Sequence, residues 1–195
     1  MRIYIVEGKD EFLFLKIALE NKEFEVVDFQ KRDKKIARGA EDTILRRYKK
    51  LVKIKRKEFV KIEGGIEKVE KIFFRRYIEE GQISHLEYFI DVFVFCDDEN
   101  GRITKLIEEM KKKGKIDIIK EKKIDESFKF FKLSAYERNV YLFLSLPNLD
   151  EIVRKSTGKK LKDIGDEKEK ENILKEVLSR YKKEIGDLEI FQRKN

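Results

Sequence analysis

Two short apolar runs that end in acidic residues are the most informative feature of the hydrophobic pattern. They span 3–6 and 92–96, and each is followed by a helix-like pattern. The residues after the runs are Glu7, Gly8 and Asp10 in one case and Asp97, Asp98 and Glu99 in the other. In open α/β sheets, ligands bind outside the carboxyl ends of the strands. If the two runs are neighbouring parallel strands, the pattern predicts a polar site where they end.

Strand-like and helix-like patterns alternate over 2–120, which predicts an α/β fold with a mainly parallel sheet flanked by helices. The expected strands are 2–6, 24–29, 59–63, 92–96 and 116–119, and the expected helices are 11–19, 41–51, 66–80 and 102–113. Segments 128–133 and 139–146 predict an antiparallel pair or edge strands, and 148–155 and 166–185 predict helices. We expect a core over 1–125 and a small C-terminal extension over 126–195 that packs on that core.

A glycine pair, Gly64-Gly65, lies between an expected strand and an expected helix. Glycine has no Cβ, so such a turn lets the backbone approach a ligand or fold tightly. The pair is therefore a candidate glycine turn of the site, together with Gly8.

Charge is unusually abundant. Charged residues make up 44% of the 195 residues, against about 25% in ordinary soluble domains. The 47 basic and 39 acidic residues give a net charge of +8. These charges alternate with Ile, Leu, Val and Phe, which argues against a disordered chain. Abundant Lys and Glu with one Cys and two Met is typical of hyperthermophile proteins.

The cellular location is predicted from the lack of a signal-peptide pattern and of a membrane-spanning apolar run in the sequence. Met1 leads straight into a strand pattern, so no signal peptide is expected. No apolar run reaches the roughly 20 residues that cross a bilayer. The lone Cys96 fits a reducing compartment and is expected to be a small buried residue. We therefore expect a soluble cytoplasmic protein.

The most basic stretch of the chain is 31–57. Its leading basic residues are Lys31, Arg32, Lys34, Lys35 and Arg38. Such a stretch can follow a nucleic-acid backbone electrostatically. A solvated surface of a lysine-rich protein explains it equally well, and the sequence leaves both interpretations open.

The two acidic motifs resemble the Toprim domain, whose signature is a Glu after the first strand and Asp-x-Asp after a later strand. The matching residues are Val6-Glu7-Gly8-Lys9-Asp10 and Phe95-Cys96-Asp97-Asp98-Glu99, and the likeness covers roughly 2–120. Gly64-Gly65 fits the glycine turn of OLD-like Toprims. Residues 139–151, with Pro147 and Asp150-Glu151, are similar to the tail of small stand-alone archaeal Toprim-like proteins of unassigned activity.

The resemblance implies a Toprim-like (Rossmann-like) sheet, with Glu7 as general acid/base and aspartates that bind Mg²⁺. The chain departs from the family pattern in two ways. Asp-x-Asp is replaced by Asp97-Asp98-Glu99, so the second ligand is Glu99 or the register is shifted by one residue. The distance along the chain from Glu7 to Asp97 is also long, because the basic segment 31–57 is inserted.

The residue types agree with metal chemistry. Asp97 and Glu99 share one face of an extended segment, and their oxygens suit Mg²⁺ or Mn²⁺. Asp98 faces the other way unless the backbone has turned, and the alternative role for this cluster is an N-cap of helix 102–113. The alternative to a catalytic Glu7 is a surface glutamate that pairs with Lys9. Lys9 itself either contacts a phosphate or is solvated. Asp10 and Glu11 are expected to suit the helix dipole first and a metal second.

Three hypotheses follow. The first is a Mg²⁺-dependent protein that acts on nucleic-acid phosphodiesters, most simply a nuclease. The second is a non-catalytic nucleic-acid-binding module with the same fold. The third is an interaction partner that uses helix 166–185. DNA or RNA is the expected partner and no membrane is expected, while a monomer and a homodimer remain equally open.

Overall fold

The computed structural model describes residues 2–20, 23–28, 58–83, 91–188 and 191. Seven strands in these ranges form one sheet in the order β2-β3-β1-β4-β7-β6-β5. The strands are β1 Arg2–Val6, β2 Phe24–Asp28, β3 Glu58–Ile62, β4 Asp91–Asp97, β5 Asp117–Ile124, β6 Phe128–Ala135 and β7 Arg138–Ser145. Strands β2, β3, β1, β4 and β7 are mutually parallel, whereas β6 runs antiparallel to both β7 and β5. The predicted α/β fold with a mainly parallel sheet is confirmed.

Helices cover both faces of the sheet. They are α1 Lys9–Ala18, α2 Ile66–Val69 continuing as a π-helix over Glu70–Glu79, α3 Arg102–Lys112, α4 Leu149–Thr157, α5 Glu167–Arg180 and α6 Lys182–Gly186. Short 3₁₀ turns span Glu99–Gly101 and Leu161–Asp163. A predicted helix over 41–51 and the basic segment 31–57 lie outside the described residues.

Side chains alternate between two apolar cores, one on each face of the sheet. Ile3 and Ile5 of β1 face the core beneath α2 and α3, while Tyr4 and Val6 face the core beneath α1, α4 and α5. All five residues of β1 are buried. Burial on both faces explains why β1 and β4 contain continuous apolar runs rather than an alternating pattern.

The second half of α2 is wound as a π-helix, in which hydrogen bonds join residues five apart. The Glu80 N–H donates to the Arg75 carbonyl over 2.9 Å. Phe73, Phe74 and Tyr77 are buried against the sheet. Phe73 precedes Tyr77 by four residues and Ile78, which is also buried, by five, and this spacing suits the wider π period.

The C-terminal strands differ in detail from the prediction. The pair predicted from 128–133 and 139–146 is β6 and β7, but β7 lies inside the sheet between β4 and β6. Among the described strands, β5 forms the sheet edge on this side and β2 forms the other. Strand β5 extends to Ile124 rather than ending at 119. The sheet is therefore continuous across residue 125, the predicted boundary between core and extension.

Candidate functional site at the carboxyl edge of the sheet

Glu7 lies where β1 ends beside β4. The two strands are parallel, with Val6 opposite Phe95, and the Glu7 N–H donates to the Phe95 carbonyl over 3.0 Å. The Asp97 N–H donates to Glu7 Oε2 over 2.9 Å. The two acidic motifs, separated by 90 residues along the chain, thus meet at one edge of the sheet.

The glycine pair closes over the backbone of Glu7. The Gly64 and Gly65 N–H groups donate to the Glu7 carbonyl over 2.7 and 3.0 Å. Their φ angles of 90° and 123° lie in the region that favours glycine. The next N–H, of Ile66 at the start of α2, donates to the Glu7 carboxylate. The predicted glycine turn therefore holds Glu7 through its carbonyl and delivers a helix N-terminus to its side chain.

The Glu7 carboxyl is held close to its protonation midpoint at neutral pH. Burial raises its pKa from 4.5 to about 7. The N–H donors of Asp97 and Ile66 act in the opposite direction, while the negative charges of Asp97 and Glu99 add to the rise. A carboxyl in this range exchanges its proton readily at neutral pH.

Asp97 joins the end of β4 to the start of α4. Its Oδ1 accepts hydrogen bonds from the Ser145 hydroxyl and, over 3.0 Å, from the Leu149 N–H. Burial raises its pKa from 3.8 to about 6, and the charges of Glu99 and Asp150 contribute to the rise, against the effect of those two hydrogen bonds. Asp97 therefore resists ionisation despite its two donors.

The other two acids of the second motif each have hydrogen-bond partners of their own. Asp98 is buried, and its Oδ1 accepts from the N–H groups of Ile103 and Thr104 over 2.7 and 3.1 Å. Its Oδ2 accepts from the Thr104 hydroxyl over 2.6 Å. Asp98 therefore caps α3, which is the alternative role considered for one acid of this cluster. Glu99 is exposed and accepts from the Asn148 side chain over 2.8 Å.

Glu11, which the sequence analysis ranked as a helix-dipole residue first and a metal ligand second, lies beside the charges of Asp97 and Glu7. It lies in the first turn of α1, where an acid suits the helix dipole, but only 7% of its surface is exposed. Burial raises its pKa well above the usual value, and the charges of Asp97 and Glu7 raise it further. The available signal was its position on the apolar face of α1, three and four residues before the buried Phe14 and Leu15.

The structure describes only some of the remaining candidates. Lys9 is the first residue of α1 and is exposed. Asp10 pairs with Lys170 of α5 over 2.9 Å. The basic candidates Lys31, Arg32, Lys34, Lys35 and Arg38 lie outside the described residues, so their role in nucleic-acid binding stays a prediction. Cys96 is buried as expected, and burial raises the pKa of its thiol.

The donor set agrees with a hard cation in chemistry, since Glu7, Glu11, Asp97 and Glu99 supply carboxylate oxygens. Its arrangement is less favourable. Within the described parts of the chain, no three Asp, Glu, His or Cys side chains are grouped as metal ligands. Hydrogen bonds from the protein already occupy oxygens of Glu7, Asp97 and Glu99.

No protein-family model, curated protein or solved structure matches this chain. Among the described helices, none is both long enough and apolar enough to cross a membrane. The interpretation of the site therefore depends on its own geometry.

Proposed function

We propose that this chain is a Mg²⁺-dependent, Toprim-like nuclease in which Glu7 is the general acid/base. The observation that supports this most directly is the meeting of Glu7 and Asp97 at the carboxyl edge of two adjacent parallel strands. A pKa of about 7 matches Glu7 to proton transfer near neutral pH. Proton transfer by a positioned side chain contributes about 10²- to 10⁴-fold to rate.

Asp97 and Glu99 are the proposed metal ligands. Asp98 remains the third candidate, although both of its oxygens are engaged at the start of α3. Glu11 is a further carboxylate of the site, and among its charged neighbours Asp97 affects its pKa most. A bound Mg²⁺ or Mn²⁺ would neutralise phosphate charge and orient the attacking oxygen. Cation binding would also favour the ionised form of Asp97, whose pKa is raised by burial and by the charge of Glu99.

The test is to incubate the protein with labelled single- and double-stranded DNA and RNA, with Mg²⁺, Mn²⁺ or EDTA, at several temperatures. The test variant is Glu7→Gln, and Glu108→Gln on the exposed side of α3 is the matched control. We expect metal-dependent cleavage that falls at least about 100-fold in Glu7→Gln and is unchanged in the control. Cleavage that persists in Glu7→Gln would exclude Glu7 as the acid/base.

The second candidate, a non-catalytic nucleic-acid-binding module, is favoured by the absence of grouped metal ligands among the described residues. It predicts salt-dependent nucleic-acid binding without cleavage. It also predicts that Mn²⁺, followed by calorimetry, binds equally weakly to wild type and to Asp97→Asn. A nuclease instead binds Mn²⁺ in the wild type and loses that binding in Asp97→Asn.

A further inference from the structure

An apolar cavity of about 500 Å³, the α1–α5 cavity, lies between the carboxyl end of α1 and the helices α5 and α6. Its volume falls within the roughly 300–1,000 Å³ of pockets that bind small molecules. The apolar side chains that line it come from all three helices and from the chain after α6: Ile17, Ala18, Leu19, Leu178, Ile185 and Phe191.

The floor of the α1–α5 cavity belongs to the core beneath α1, α4 and α5. Leu19, Ile185 and Phe191 are buried members of that core. The Phe191 ring meets the ring of Phe143 on β7 edge to face, with 5.2 Å between the ring centroids. Side chains in a packed core hold fixed positions, so the floor offers a preformed apolar surface to a ligand.

The rim of the cavity carries more positive than negative charge. Its charged residues are Lys175, Lys182 and Glu20. Lys175 pairs with Glu171 over 2.8 Å, whereas the exposed Lys182 forms no ion pair with any residue that the structure describes. An ammonium group at the mouth of an apolar cavity suits a ligand with an apolar body and an anionic head.

We infer that the α1–α5 cavity binds a fatty-acid-like monocarboxylate, whose alkyl chain enters the cavity and whose carboxylate contacts Lys182. The inference goes beyond the proposed function, because the cavity and the acidic edge of the sheet lie at opposite ends of α1. Glu11 is in the first turn of this helix and Ala18 is its last residue. They are therefore about 10 Å apart along the helix axis.

Equilibrium dialysis with radiolabelled decanoate, in EDTA and without nucleic acid, tests the cavity separately from the nuclease. Unlabelled hexanoate, octanoate and decanoate compete with the label and vary only in chain length. We expect affinity to rise about fourfold for each added methylene, because each one buries further apolar surface. Decyltrimethylammonium has a chain of the same length with the opposite charge and should compete more weakly than decanoate.

The anionic head is tested by Lys182→Gln, with Lys183→Gln as the matched control. Lys183 is the next residue and is exposed, but it does not line the cavity. Both lysines follow α5 directly, so any effect of the helix dipole is shared by the two variants. We expect Lys182→Gln to weaken decanoate binding about two- to fivefold and Lys183→Gln to leave it unchanged.

The apolar part is tested by Gly186→Leu, with Gly165→Leu as the matched control. Gly186 lines the cavity and Gly165 does not. A Cβ at either glycine would meet no atom within 4 Å, and neither has a left-handed φ, so both variants should keep the wild-type Tm. We expect Gly186→Leu to weaken decanoate binding at least about tenfold, the effect of two displaced methylenes, and the control to bind as wild type.

Several outcomes would overturn the inference without bearing on cleavage. They are no decanoate binding at millimolar concentration, equal competition by decanoate and decyltrimethylammonium, and equal effects of a test variant and its control. Binding to anionic phospholipid vesicles but not to free decanoate would also overturn it, in favour of a membrane surface. A loss of nuclease activity in the cleavage assay would leave this inference unaffected.

Discussion

Two buried glutamates, Glu63 and Glu11, have opposite surroundings. Glu63 follows β3 and is 3% exposed, and its Oε1 lies 2.6 Å from the fully buried ammonium of Lys61. Glu11 of α1 is 7% exposed, but the charged groups near it are the carboxyls of Asp97 and Glu7. One glutamate is neutralised by a cation, and the other is crowded by groups of its own sign.

The two glutamates differ in what ionisation costs. The charge of Glu63 is balanced by a neighbouring cation, whereas a charge on Glu11 would lower the stability of the fold. A buried ion pair approximately balances desolvation against attraction, so Glu63 and Lys61 can both remain ionised. Buried carboxyls without a cation instead cost stability when they ionise, first because they are desolvated and then because they repel one another, and their pKa values rise. Such strain is typical of functional sites. The comparison therefore favours Glu7, Glu11 and Asp97, rather than the equally buried Glu63, as the residues of the proposed site.

The largest expected effect comes from removing the cation of the neutralised pair. The Lys61 ammonium nitrogen lies 3.4 Å from the Tyr77 hydroxyl oxygen and 2.6 Å from Glu63 Oε1. Replacing Lys61 with Met leaves a buried carboxylate without its ammonium partner. We expect the free energy of unfolding to fall by about 3–5 kcal/mol, measured by urea denaturation at pH 8.

The double variant Lys61→Met/Glu63→Leu is the control for this prediction. It removes both charges and fills their volume with apolar groups, so we expect it to recover most of the loss. If Lys61→Met alone is as stable as wild type, Glu63 is not stabilised by Lys61, and the contrast with Glu11 is lost.

The parallel part of the fold was predictable because its strands are buried on both faces. Runs such as 92–96 contain no polar residue that would mark an exposed side. The acids after β1 and β4 were predictable for the same reason, since each marks the end of an apolar run. Once the two strands are adjacent, Glu7 and Asp97 must meet. The outcome at this edge depended on only one long-range pairing.

Other features depended on backbone geometry that residue types do not specify. Which of the three consecutive acids caps α3 is decided by a turn in which Asn100 and Gly101 adopt φ angles of 55° and 67°. The position of β7 between β4 and β6 is a matter of strand order, which the local hydrophobic periodicity does not predict. Glu11 was ranked second as a ligand because an acid in the first turn of a helix already has a sufficient local explanation.

The second prediction concerns pH and the crowded carboxyls. In the folded protein Glu7 has a pKa of about 7, against 4.5 ordinarily, and Asp97 has a pKa of about 6, against 3.8. Between these values the folded state holds protons that the unfolded chain has released. The stability contributed by these groups is therefore fully present at low pH and is lost as pH rises towards 7.

Without added metal, we expect wild type to lose about 2–3 kcal/mol more stability than Glu7→Gln between pH 5 and pH 8. Urea denaturation at several pH values measures the difference, and Glu108→Gln, at an exposed position of α3, should follow the wild-type curve. Parallel curves for wild type and Glu7→Gln would show that Glu7 ionises as freely in the folded protein as in the unfolded chain.

The smallest expected effect tests the comparison most directly. The same substitution, Glu to Gln, should change the free energy of unfolding in opposite directions at Glu11 and at Glu63. At pH 8, Glu11→Gln removes a buried acid whose ionisation Asp97 and Glu7 oppose, so we expect a gain of about 1 kcal/mol in the free energy of unfolding. Glu63→Gln removes the partner of the buried Lys61 ammonium and should destabilise the protein. At pH 5 the gain from Glu11→Gln should be smaller than at pH 8, since the raised pKa of Glu11 favours the protonated wild-type carboxyl as pH falls. A loss of stability in Glu11→Gln at both pH values would mean that the Glu11 carboxylate is stabilised by its surroundings, and the crowded cluster would then be a structural feature like the Lys61–Glu63 pair.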